Sequence, residues 1–410
     1  MSTIRLILYT NLVLVTLACA GFSPRMSGKA AQPEGFIEVD GGQLYYEVAG
    51  AGETILMVHD GLLHRETWNL QFDDLARDHR VIRYDRRGYG KSPAPEEPFS
   101  LVEDLDAVFR TLGVEQAMLM GMSAGARLAV DYTLAYPGKV SSLILVGPVV
   151  SGMDFTNHFI DRGGRVTQEI TSDRAIWRNY YVQDDPYTIT PGHDTARELA
   201  QKLLDANPHN FAAVNNLLAR QPVQPALGRL SEIAVPTLIV VGEHDIADVH
   251  AHAGALETGI LGAQRIIIRD AAHLIPLDQP EPFLAAVRDF MAGGEFTFIL
   301  RTQGVAEAVD YFHARHKQNP EVTFFEEAAL NGAGYSYLFQ EKLEEAIALF
   351  KLNVEAYPES FNAYDSLGEA LLAAGDREGA EANYRKSLEL NPGNDNAVQV
   401  LKSMGVKIGD

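Results

Sequence analysis

Cysteine is almost missing from this sequence: Cys19 is the only one in 410 residues. No internal disulfide, thiolate metal site or cysteine nucleophile can therefore be built into the chain that follows it. Positive charge is scarce as well, with 34 Lys and Arg against 55 Asp and Glu and a formal net charge of −21. Binding nucleic acid requires clustered cations that displace counterions, so nucleic acid is excluded as an expected partner. The apolar stretch Leu6 to Ala18 is too short for a comfortable membrane span. It follows Arg5 and ends in the small residues Ala18-Cys19-Ala20, which is the pattern of an export signal over residues 1–20. Three outcomes fit this segment: cleavage after Ala20, lipidation of Cys19 in the lipobox-like Leu17-Ala18-Cys19, and a retained anchor. Each of them exports the chain to the periplasm or the exterior. Residues 21–34 are largely small and polar and read as a tether.

What remains is longer than one average domain. From Gly35 to Met291 short apolar runs alternate with helical stretches: Ile55 to Val58, Val81 to Tyr84, Ala117 to Met120, Leu143 to Val146, Leu238 to Val241 and Ile266 to Ile268. Near-continuous apolar strands separated by helices predict a parallel sheet covered on both faces, here over residues 35–292. The rhythm breaks once, between Gly147 and Pro236. A stretch of that length is too long for a simple loop and reads as a helical cap over about 150–234. Its aromatic residues Phe155, His158, Phe159, Trp177, Tyr180 and Tyr181 fit either a substrate pocket or ordinary packing.

Gly293-Gly294 reads as a boundary, and residues 300–410 carry a helical pattern that repeats every thirty-four positions. Gly334 recurs as Gly368, Leu338 as Leu372, Ala346 as Ala380 and Pro358 as Pro392, while Phe350 is matched by Tyr384. This resembles the tetratricopeptide repeat, in which small residues let paired helices approach and the aromatic fills the gap between them. Ala308, Phe312 and Pro320 mark a degenerate half-repeat before it. Such repeats imply docking of a protein partner or self-association.

The chemistry lies at Gly121-Met122-Ser123-Ala124-Gly125. This G-x-S-x-G follows a predicted strand and precedes a predicted helix, the setting of a nucleophile elbow. A serine hydroxyl needs a base to act as nucleophile. Asp245 ends one later strand and His273 follows the next, so both emerge at the same end of the sheet as Ser123, in the order serine, acid, histidine. Asp248 is the alternative acid. From Gly35 to Met291 the chain resembles the α/β-hydrolase family, and the resemblance implies a Ser123, Asp245 and His273 triad acting on a small ester-like molecule without cofactor or metal. It also implies two oxyanion donors: the Ala124 N–H and a second from the loop after Val58. There the family usually reads His-Gly, but this chain reads His59-Asp60-Gly61-Leu62, which leaves Gly61 and Leu62 both open as donors; Asp60 is expected to turn outward, the alternative being that it holds a water or a polar substrate group. Tyr84-Asp85-Arg86-Arg87-Gly88-Tyr89-Gly90-Lys91-Ser92, also typical of the family, is expected to shape a turn. The group His244, Asp245, Asp248, His250 and His252 lacks the helical spacing of a zinc site. The expected reaction is hydrolysis of a carboxylic ester or lactone. Amide, carbon–carbon bond and perhydrolase chemistry with the same triad are rivals, as is a repeat-bearing scaffold with a vestigial hydrolase body.

Overall fold

The computed structural model describes residues 33–159, 180–210, 218–318 and 325–407. The expected export signal and nearly all of the tether lie outside the described residues.

Eight strands form one sheet: β1 (Glu34–Val39), β2 (Gly42–Ala49), β3 (Thr54–Val58), β4 (Arg80–Tyr84), β5 (Ala117–Met122), β6 (Val140–Val146), β7 (Thr237–Gly242) and β8 (Gln264–Ile268). Their spatial order is β1-β2-β4-β3-β5-β6-β7-β8. The pairs β1–β2 and β2–β4 are antiparallel, and every later pair is parallel. The chain moves outward from β3 to β4 and then crosses back to β5 on the other side of β3. That reversal opens a crevice at the carboxyl ends of β3 and β5, where an open α/β sheet binds its ligands.

Alternate residues of the central strands are buried on opposite faces, as the near-continuous apolar runs require. Leu56, Val58, Leu119, Leu143, Leu145, Ile239 and Val241 pack on one side with α2 (Leu101–Thr111), α3 (Ala124–Ala135) and α5 (Ala247–Gly259). Ile55, Met57, Met120, Ile144, Val146 and Val240 pack on the other with α1 (Asn69–Leu75) and the first half of α7 (Pro280–Thr302). Within the expected cap the described elements are a π-helical turn at Tyr180–Asp184, α4 (Asp194–Ala206) and a 3-10 stretch at Ala226–Glu232. A short α6 (Ile275–Asp278) lies between β8 and α7.

The expected boundary at Gly293-Gly294 is not a linker. Both glycines are buried inside α7, and the Phe290 ring occupies the space beside Gly294, where an added Cβ would stand 2.7 Å from it. One helix thus serves both parts of the chain. Phe283, Val287 and Phe290 pack against the sheet, whereas Phe296 packs with Ala308, Phe312, Leu330, Leu349 and Leu352. The half-repeat anticipated around Ala308 is α8 (Val305–Gln318). Two helix pairs follow, α9 (Glu327–Phe339) with α10 (Leu343–Ala356) and α11 (Phe361–Ala373) with α12 (Arg377–Leu390), closed by α13 (Asp395–Ser403). Phe350 and Tyr384 are buried between the helices of their repeats, against Gly334 and Gly368.

Candidate active site

Ser123 sits between β5 and α3 with φ 53° and ψ −113°, a backbone conformation that costs a non-glycine residue energy and holds its hydroxyl off the end of the strand. The turn is tight because α3 runs back over β3. A Cβ added at Gly125 would stand 2.3 Å from the Val58 carbonyl oxygen, so only glycine permits this approach. The Ser123 N–H donates to the Val146 carbonyl at 2.8 Å, which ties the elbow to the end of β6.

The next residue, Gly147, touches the other two candidate groups. Its φ is +50°, and an added Cβ would lie 3.0 Å from the His273 ring and 3.4 Å from Asp245 Oδ2. Asp245 and His273 are joined directly, Nδ1 to Oδ2 at 2.8 Å, and the Asp245 carboxylate is fully buried while the imidazole retains some exposure. Asp245 Oδ1 accepts the Ile246 N–H at 2.8 Å. With Nδ1–H committed to a carboxylate, the neutral imidazole carries its lone pair on Nε2, the tautomer a general base requires. The alternative acid is engaged elsewhere: Asp248 accepts the Thr156 N–H at 2.6 Å and its hydroxyl at 2.8 Å. His252 takes the Val150 N–H on Nδ1 at 3.1 Å, so these neighbours do separate structural work.

The histidine loop is stitched to the cap. His273 and Leu274 donate their N–H groups to the carbonyls of Tyr187 and Thr188, both at 2.9 Å. Behind them Asp278, its carboxylate fully buried, accepts the Ala272 N–H at 2.7 Å, the Thr190 hydroxyl at 2.6 Å and the Thr190 N–H at 3.1 Å, and meets His193 Nδ1 at 2.6 Å. His193 Nε2 reaches Asp270 at 3.2 Å. Burial alone would lower the His193 pKa, but the hydrogen bonds and charges of Asp278 and Asp270 outweigh it and raise the pKa above the ordinary histidine value. A raised folded-state pKa contributes stability that is complete below the unfolded value and is lost as pH rises through the folded one. Thermal stability is therefore expected to fall between about pH 6 and pH 8 by more in the wild type than in His193→Gln. Parallel melting curves for the two proteins would contradict this linkage.

The loop after β3 departs from one expectation. Asp60 is not turned outward but buried, its Oδ1 accepting the N–H groups of Leu62 at 2.5 Å and Leu63 at 2.8 Å, and its Oδ2 the Thr67 hydroxyl at 3.3 Å. An aspartate at this position closes its own turn by capturing downstream amides. The Leu62 N–H thus already points at a carboxylate, which disfavours it as the second donor. Gly61 is left: its N–H is not among those Asp60 captures, and a Cβ built on it would meet Ala124 Cβ at 3.6 Å. Ala124 opens α3, so its own N–H has no partner within the helix. Gly61 and Ala124 thus lie close together at the carboxyl ends of β3 and β5.

Tyr84 to Ser92 forms the expected turn. Asp85 accepts the N–H groups of Arg65 and Lys91, both at 2.9 Å, and Arg65 Nη1 at 2.8 Å. Sequence reading missed Arg86 in this turn, whose guanidinium donates to the Asp60 carbonyl. The nearest signal was a second arginine where turn geometry asks for none. Of the cap aromatics, Phe155 stacks on Phe159 at 4.1 Å and lies 5.0 Å from His252, His158 meets Tyr187 edge-on, and Tyr180 meets Tyr181. Trp177 lies outside the described residues.

Residues 55–286 match the model of the alpha/beta hydrolase family, and residues 361–394 match a tetratricopeptide repeat. A Klebsiella pneumoniae 2-hydroxy-6-oxononadienedioate/2-hydroxy-6-oxononatrienedioate hydrolase is 29% identical over 281 residues, covering 63% of this chain and 95% of the relative. Among solved structures, the N-acyl homoserine lactone degrading enzyme Est816 superposes with a TM-score of 0.52 at 26% identity, over 62% of this chain and all of that one. A thermophilic esterase from Thermogutta terrifontis superposes with a TM-score of 0.53 at 25% identity, over 64% of this chain and 98% of that one. The family match spans the sheet from β3 to the start of α7 and contains both the elbow and the Asp245–His273 pair, and by it this chain belongs to the alpha/beta hydrolase family.

Proposed function

We propose that this chain is an exported serine hydrolase that cleaves a carboxylic ester or lactone through an acyl-enzyme. The observation that carries the reading is the Asp245–His273 hydrogen bond at 2.8 Å, made against the same β6 terminus that holds the strained Ser123 elbow. In this reading His273 Nε2 takes the Ser123 proton as Oγ attacks the carbonyl carbon. Asp245 holds the tautomer and stabilises the imidazolium, and the N–H groups of Gly61 and Ala124 receive the charge that develops on the carbonyl oxygen. Collapse of the tetrahedral intermediate expels the alcohol, which takes the proton from His273. Water then repeats the sequence to release the acid. The Leu6 to Ala18 segment followed by Ala18-Cys19-Ala20 supports export, and the repeats support docking or assembly through protein contacts.

The esterase and lactone-degrading neighbours favour ester chemistry over amide chemistry. A buried Asp60 that braces the loop after β3 supports an intact site over a vestigial one. The test is turnover by purified protein of a panel of p-nitrophenyl esters and homoserine lactones of varied acyl length, with a 2-hydroxy-6-oxo-dienedioate included after the Klebsiella pneumoniae relative. Hydrolysis of at least one ester or lactone well above the Ser123→Ala background is expected. Turnover of the dienedioate alone would move the assignment to carbon–carbon bond cleavage.

A further inference from the structure

Arg86 is 4% exposed, and among the described residues no carboxylate pairs with it. Among the described residues its Nε has no hydrogen-bond partner, and Cζ lies 4.8 Å from the Tyr89 ring centre. A buried cation without a counter-charge is costly, and such groups persist where their charge is used. Its guanidinium donates from Nη2 to the Asp60 carbonyl oxygen at 2.5 Å.

That carbonyl belongs to the peptide unit whose N–H is Gly61. The same oxygen meets His59 Nδ1 at 2.7 Å, while His59 Nε2 accepts the Arg86 backbone N–H at 3.0 Å. Acceptance at Nε2 fixes the proton on Nδ1, so the imidazole donates to the carbonyl. Burial, and then the Arg86 charge, holds this imidazole well below the ordinary histidine pKa and therefore neutral. On the far side of Gly61, Tyr89 Oη donates to the Gly61 carbonyl at 3.0 Å. In a trans peptide C=O and N–H point in opposite directions. Two donors on the Asp60 oxygen, one of them cationic, therefore turn the Gly61 N–H away from Arg86 and His59 and draw electron density from it.

Resting on the serine hydrolase reading above, we propose that Arg86 is a positioning residue of the oxyanion hole: with His59 it clamps and polarises the Asp60–Gly61 peptide so that the Gly61 N–H is fixed and strengthened as a donor to the developing oxyanion. A group acting this way contributes in the transition state and little to ground-state binding.

Arg86→Met, Arg86→Gln and Arg86→Lys are compared in the full-length protein on the best ester of the panel. For Met, kcat is expected to fall about 10- to 100-fold with KM changed less than about twofold. Affinity for an alkyl trifluoromethyl ketone, whose adduct mimics the oxyanion, should fall by the same factor as kcat/KM. Gln can still donate to the carbonyl but lacks the charge, so its loss should be smaller than that of Met. Because Arg86 lines a cavity of about 620 Å³ that also reaches Ala124, added guanidinium should restore part of the Met variant's kcat. If Met does not fold, the Gln and Lys variants carry the same comparison. Unchanged kcat and ketone affinity, or a raised KM at constant kcat, would overturn the proposal, the latter by making Arg86 a substrate-binding group. Failure of the wild type to react with a fluorophosphonate probe would instead refute the serine hydrolase reading itself.

Discussion

Replacement of Ser123 by alanine is expected to reduce ester turnover by about 10⁶-fold while the protein keeps its circular dichroism and melting temperature. The magnitude follows from cooperation: with the nucleophile gone, the Asp245–His273 pair has no oxygen to deprotonate, and only binding and the oxyanion donors remain to assist water. The fold should tolerate the change because the side chain makes no cap hydrogen bond to α3, and alanine removes only the hydroxyl from a turn whose geometry is set by the close contact of Gly125 with β3. Turnover by Ser123→Ala within tenfold of wild type would place the chemistry elsewhere.

The second large effect is expected at Asp245. Asparagine there can still meet His273 Nδ1, but its amide stabilises the tautomer with the proton on Nε2, and the general base is lost. A fall of about 10⁴-fold in kcat is expected, with little change in stability because the asparagine oxygen can still accept the Ile246 N–H and its amide can still meet Nδ1. Asp248→Asn is the internal control. Its carboxylate accepts two hydrogen bonds from Thr156 and none from His273, so the variant should lose about 1–3 kcal/mol of stability and keep most of its rate. A larger rate loss at Asp248 than at Asp245 would reverse the assignment of the acid.

The parts of the fold that were legible in the sequence are those dictated by burial. Strands β3 to β7 lie between two layers of helices, and their apolar runs announced this directly, whereas the edge strand β8 leaves Ile267 51% exposed. The antiparallel β1 and β2 were not among the runs picked out, because an edge hairpin is apolar on one side only: Ile37 is fully buried, whereas its neighbour Phe36 is 50% exposed. The reading of Gly293-Gly294 as a break in the chain has a similar cause, although packing does pass there from the sheet at Phe290 to the repeats at Phe296. Glycine reads as a break in a helix, but here the missing side chain admits the Phe290 ring and the helix continues.

At the candidate site, the Ser123 turn and the pairing of Asp245 with His273 were legible because strand, turn and order together constrain them. The oxyanion loop was not. An aspartate in place of glycine after His59 reads as a polar group seeking water, and only the three-dimensional turn discloses that its carboxylate is consumed by Leu62, Leu63 and Thr67. The roles of Asp278 and Arg86 were hidden for a different reason. Each acts on backbone groups far away in sequence, Asp278 on the Thr190 N–H and Arg86 on the Asp60 carbonyl, and hydrogen bonds to backbone leave no side-chain pattern to read.

The claim on which the rest depends is that Ser123 is an activated nucleophile. Wild-type protein treated with a fluorophosphonate and digested for peptide mass spectrometry should carry one phosphonyl adduct, on the Ser123 hydroxyl, formed much more slowly in His273→Ala. An unlabelled protein, or an adduct on another residue with Ser123 unmodified, would contradict the account.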